Sequence, residues 1–166
     1  ACYASSTTTQ QPIAFYVPKV VEPEWVDIRP GATSGKYYTV CLPKKVVDFR
    51  GGNFWSMSKR GDGIAYLEEA TGTLPAGTPY IFEVTGAKLE VVYEGDATAV
   101  AGTNGALYGT FVGMDQTALS AKATDLGSDI YLLSGNQLWN VTGAGASSNN
   151  LAAGRAYIVY NKLVNE

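Results

Sequence analysis

Apolar residues in this chain alternate with polar ones over short runs, and glycine-rich turns separate the runs. In 88–93, Leu89, Val91 and Tyr93 fall on one side and Lys88 and Glu90 on the other. In 37–42, Tyr38, Val40 and Leu42 share one face and Tyr37, Thr39 and Cys41 the other. A period of two is the signature of a strand with unlike faces, and β-branched and aromatic residues fill these runs. Further strands are expected at 13–17, 25–28, 53–57, 64–68, 80–84, 106–112, 129–133, 137–141 and 155–160. The pairs Gly51-Gly52, Asp62-Gly63, Asn104-Gly105 and Gly135-Asn136 supply positive-φ turn positions. The run 133–137 reads as a hairpin. Helical patterning is confined to 114–123, with Asp115 as its N-cap. The expected fold is all-β, a β-sandwich of jelly-roll or Ig-like type with at most one short helix. Helix should occupy under about a tenth of the chain, against a usual third.

A chain of 166 residues makes one domain plus a short extension and buries roughly two-thirds of its unfolded surface. Charged residues make up only 16%, against about 25% in ordinary domains, and the polar share comes from Thr, Ser, Asn and Gly. That balance fits an extracellular β-protein. The net charge of −3, with no basic stripe, argues against nucleic acid as a partner. No run approaches the roughly 20 apolar residues of a membrane span. No signal peptide opens the sequence, as in a mature exported chain. The expected location is extracellular or the outer cell surface.

One stretch recurs. Residues 74–81 (LPAGTPYI) match 151–158 (LAAGRAYI) at Leu, Ala, Gly, Tyr and Ile. Trp55 and Trp139 precede the two copies, and the sequence reads them as counterparts. Gly77 and Gly154 should turn the chain at positive φ, so that valine at either would destabilise by more than about 1 kcal/mol. Leu89, Val91, Tyr93, Ile81, Ile158, Leu132 and Trp139 are expected in one core.

Little here carries catalysis. The absence of histidine removes Ser-His and Cys-His activation and most zinc sites. Glu68 and Glu69 point to opposite faces of a strand, and Glu83, Glu90, Glu94 and Asp96 alternate with apolar residues as solvent-facing groups do. No enzyme activity, cofactor or metal is expected. Arg60-Gly61-Asp62 reads as a charged turn rather than an integrin ligand. Asn140-Val141-Thr142 fits a glycosylation sequon. Among Tyr37, Tyr38, Trp55, Tyr108, Trp139 and Tyr160, the residues singled out for ligand binding are Trp55, Trp139 and Tyr108, with core packing as the alternative role. Cys2 and Cys41 are a candidate disulfide, which would contribute roughly 4 kcal/mol in the chain-entropy model. Free thiols, or acylation of Cys2, are the alternatives.

The segment 29–43 (RPGATSGKYYTVCLP) resembles the opening of a β-module found in large surface proteins of Bacteroidales. Phe54-Trp55, Leu67-Glu68-Glu69, 76–81, 89–93, 105–111, 131–133 and 155–158 follow in the family's order. The resemblance covers 29–166. It implies a secreted or surface β-sandwich beside leucine-rich or Ig-like repeats, without assigned catalysis, and it transfers no binding residues. Residues 1–28 then form an N-terminal extension or strand-contributing linker. The apolar run 13–17 must add to a sheet, either that of its own domain or a neighbour's. The functional expectation is a structural or adhesive module that assembles through this segment, partnered by other domains of the same protein or neighbouring copies. The alternative is a carbohydrate-binding module that presents surface aromatics to a host or dietary glycan.

Overall fold

The computed structural model of the chain describes residues 2–4, 11–18, 21–143 and 145–165, with backbone alone for 2–4 and 11. In chain order the elements are β1 (Cys2–Ala4), β2 (Gln11–Ile13), β3 (Val26–Asp27), β4 (Tyr37–Cys41), β5 (Lys45–Arg50), β6 (Gly52–Gly61), β7 (Ile64–Ala70), β8 (Pro79–Val84), β9 (Glu90–Glu94), β10 (Thr103–Asn104), β11 (Leu107–Thr110), α1 (Gln116–Leu126), β12 (Ile130–Ser134), β13 (Gln137–Asn140), β14 (Arg155–Val159), a 3₁₀ turn (Tyr160–Lys162) and β15 (Val164–Asn165). The fold is all-β and sandwich-like, with one short α-helix, as the alternation predicts.

Three sheets stack, and the helix covers the last of them. The first sheet has the order β3-β9-β5, the central one β15-β6-β8-β4 with β7 on the other edge of β6, and the outer one β10-β11-β14-β12-β13. The core is accordingly divided. Val40, Phe54, Tyr80, Phe82 and Val84 of the central sheet meet Val46 and Val91 of the first. Met57 and Ile81 on the opposite face meet Leu107 and Ile158 of the outer sheet. Tyr157, Val159 and Ile130 meet Leu119 of α1. Strands β8 and β14 are thus covered on both faces, which removes any clean inside-outside alternation from them. This corrects the expectation of one core: Leu89, Val91 and Tyr93 lie in the first cluster, Ile81 and Ile158 in the second, Leu132 in the third, and Trp139 is exposed.

The internal similarity is a duplication of structure. In the first half the order is β4-β8-β6-β7, and in the second it is β11-β14-β12-β13. In each, a hairpin forms and the last strand then inserts between it and the first strand. The recurring leucines occupy matching places. Leu74 exchanges both backbone hydrogen bonds with Val46 (2.9 Å each), and Leu151 does the same with Met114 (2.7 and 2.8 Å). Gly77 lies at φ +72° and Gly154 at φ +77°, and their N–H groups donate to Leu42 and Thr110 at 2.8 Å each. Positive φ is open to glycine without strain, so each copy turns at its glycine into β8 or β14. The tryptophans, however, do not correspond: Trp55 lies on β6, beside β8, whereas Trp139 lies on the edge strand β13.

Asp115 caps α1 as expected, its carboxylate accepting from the Ala118 N–H at 2.8 Å. The strand β5 escapes the alternation rule because a register shift between Val46 and Asp48 brings both Val46 and Phe49 onto the first core, three residues apart. The N-terminal run departs from expectation. Only 11–13 is extended in a ladder, and β2 pairs with β1 rather than with a sheet of the body. Ile13, Phe15, Tyr16, Val17 and Val21 are 54 to 86% exposed.

Candidate functional site

The β12–β13 hairpin turns at Gly135 (φ +59°) and Asn136 (φ +62°), with Ser134 opposite Gln137. Positive φ at both central residues is the tight two-residue turn that matches strand twist. Asn136 then ties this turn to the other half of the molecule. Its Oδ1 accepts from the Tyr37 N–H at 2.9 Å, and its Nδ2 donates to the Gly35 carbonyl at 3.3 Å. On the anchored hairpin, Trp139 stands opposite Leu132 and donates from Nε1 to the Ser134 carbonyl at 3.0 Å. The indole is therefore fixed in orientation while the residue remains 54% exposed.

Trp139 borders two cavities. β12 pairs with β14 only at Ile130 and Tyr131, and beyond that point a cavity of about 360 Å³ opens. Tyr38 and Thr39 of β4, Ser134, Asn149, Asn150, Arg29 and Arg155 line it. The Arg29 guanidinium donates to the Thr39 carbonyl at 2.9 Å and lies 5.2 Å from the centre of the Phe82 ring and 5.7 Å from that of Tyr38. Burial first, and then Arg155, lower Arg29 to about 10, so it stays charged at neutral pH. The second, wider cleft of about 810 Å³ lies between the β6–β7 and β12–β13 hairpins. Its wall includes the stacked rings of Tyr131 and Tyr160, 5.5 Å apart, with Arg60 over Tyr160 at 4.7 Å. The Arg60 Nε is buried there without an acceptor.

The three aromatics singled out by sequence are not brought together. Trp139 is at the surface between the cavities. Trp55 packs into the second core with a buried, unpaired Nε1 and lines neither cavity. Tyr108 packs into the third core 5.8 Å from Tyr157 and also lines neither. Sequence reasoning passed over Arg29 and Arg155. A signal for Arg155 existed: it stands where the first copy of the repeat has Thr78.

Two of the carboxylates read as surface groups are ion-paired at the first sheet, Glu90 with Arg50 (3.2 Å) and Lys88 (3.6 Å), and Glu94 with Lys45 (3.0 Å). Among the described residues, no group of three His, Cys, Asp or Glu side chains is placed to hold a metal ion. The Arg60-Gly61-Asp62 tripeptide forms the β6–β7 hairpin end, with Arg60 folded onto Tyr160 instead of presented outward. Asn140 engages its side chain with Asp129 and Thr142. The Cys41 thiol is free and buried and donates to the Gly77 carbonyl at 3.3 Å, a bond that a disulfide would displace. The side chain of Cys2 lies outside the described residues. No helix among the described residues is long and apolar enough to cross a membrane.

No protein-family model, no curated protein and no solved structure matches this chain.

Proposed function

We propose that this chain is a non-catalytic carbohydrate-binding module of a secreted or surface-attached bacterial protein. The observation that carries the reading is Trp139: a large apolar ring, half-exposed, locked by its own Nε1 and set at the rim of two cavities. The apolar face of a sugar ring covers such an indole, and the flanking polar groups meet its hydroxyls. A fixed ring loses little entropy on binding. The resemblance to Bacteroidales surface modules supports the exported setting. The test is titration of the whole chain with neutral and acidic plant and host oligosaccharides, followed by calorimetry. Binding to at least one, weakened tenfold or more in Trp139→Ala, is expected. Absence of binding to every sugar, or binding indifferent to Trp139→Ala, rejects the reading.

A second reading, adhesive assembly, rests on the N-terminal segment. Ile13, Phe15, Tyr16, Val17 and Val21 expose apolar surface that water disfavours. Pairing along this segment with a neighbouring copy or domain would cover it. Removal of residues 1–17 should then abolish self-association and leave the melting temperature unchanged. An unfolded product, or unchanged association, rejects it.

A further inference from the structure

We infer that the cavity beside Trp139 is an anion pocket that takes the carboxylate of an acidic sugar residue, whose ring lies against the Trp139 indole. The inference rests on the carbohydrate-binding reading above and names the sugar class. Four arginines occur in the chain. Arg50 is paired with Glu90 at 3.2 Å, and Arg60 lies over Tyr160 at 4.7 Å. Arg29 and Arg155 line one cavity together, and neither has a carboxylate partner among the described residues, although the chain is net negative. No acidic side chain is among the residues that line this cavity.

Two like charges placed beside each other in a partly desolvated cavity are unfavourable in the empty protein, and a bound anion relieves both. Guanidinium groups offer planar, paired donors that match a carboxylate. Arg29 is already oriented by the Thr39 carbonyl and by the Phe82 and Tyr38 rings, so little freedom is lost when the anion arrives. The volume of about 360 Å³ is at the lower end of small-ligand sites and suits one sugar unit. The flat, exposed indole at the rim favours a sugar ring over an acidic peptide, because an Asp or Glu side chain has no ring to lay on it.

The test uses the full chain, with a galacturonic acid oligosaccharide, its neutral galactose counterpart and a polyglutamate peptide as probes. Arg155→Gln, Arg155→Lys and Trp139→Ala are compared by calorimetry after thermal melts confirm folding. The acidic sugar should bind at least about tenfold more tightly than the neutral one, the scale of one charge-assisted hydrogen bond. Arg155→Gln should weaken the acidic sugar at least about tenfold more than the neutral one, so that the preference is lost, and Arg155→Lys should retain part of it. Trp139→Ala should weaken both sugars. In the unsubstituted chain only the acidic sugar should lose affinity as salt rises, which serves the same purpose if Arg155→Gln does not fold. Equal affinity for the two sugars, insensitive to Arg155→Gln and to salt but sensitive to Trp139→Ala, overturns the acidic pocket and leaves the carbohydrate-binding function standing. Binding of polyglutamate alone, lost in Arg155→Gln, overturns the acidic-sugar pocket, as does the absence of binding to all three probes; the carbohydrate-binding function falls with it only if the wider oligosaccharide panel also fails to bind.

Discussion

Gly109 and Cys41 occupy equivalent places in the two halves of the fold, and they meet: a Cβ on Gly109 would lie 2.5 Å from the Cys41 sulfur. The equivalence follows from register. Cys41 stands opposite Pro79 and Gly109 opposite Ala156, and Pro79 and Ala156 are matching positions of the repeated stretch. The duplicated halves therefore touch at corresponding residues, where one copy keeps a side chain and the other gives it up.

Gly109→Ala should destabilise the protein by about 1–3 kcal/mol through overpacking. Cys41→Ala removes the sulfur that the new methyl group would strike. The double variant should therefore be less destabilised than the sum of the two single variants, by about 1 kcal/mol or more. Urea titration of the four proteins measures this. Additive effects would mean that the backbones move apart instead.

The two recurring glycines should respond unequally. Gly154→Ala meets only the strain of positive φ, since its nearest atom would be 3.8 Å away, and about 1 kcal/mol is expected. Gly77→Ala adds a collision with the Val100 carbonyl at 2.6 Å and should be clearly worse. Equal losses in urea denaturation would show that the 98–100 segment yields freely.

Burial pushes the Cys41 thiol from 9.0 up to about 11. The folded state thus holds this proton more tightly than the unfolded chain does. Stability from this source is complete below about pH 9 and is lost as pH rises through 11. Tyr157, pushed up to about 12 chiefly by burial, acts in the same direction at higher pH. Thermal melts between pH 8 and 11 should show a decline that is shallower in Cys41→Ala. Parallel curves would show that the thiol keeps its ordinary acidity.

The short run 114–123 displayed its helix in sequence because it holds a cap residue near its start; the observed helix begins one residue after Asp115 and continues to Leu126. The repeat was legible for a similar local reason: a glycine turn, a buried leucine and a strand are encoded within eight residues. The β5 strand was not, because its bulge puts Val46 and Phe49 on one core at a spacing that matches no strand period. Nor did the N-terminal run behave as its apolar composition implied. Composition records a preference for burial, whereas burial requires a sheet within reach, and β2 finds only β1.

The site divides along the same line. Trp139 could be named from sequence as an aromatic, but its exposure could not, since edge and inner strands of this fold carry similar residues. Trp55 and Tyr108 went into cores because their strands lie between layers. Arg29 and Arg155 are 126 positions apart in sequence, and no spacing rule connects them. By itself the sequence determined most of the longer strands, their turns, the capped helix and the duplication, all of which arise from interactions between near neighbours. Which strand forms an edge, which face meets a second sheet, and which distant side chains share a cavity were decided only when the two halves packed against each other, because those contacts depend on where the layers come together in space.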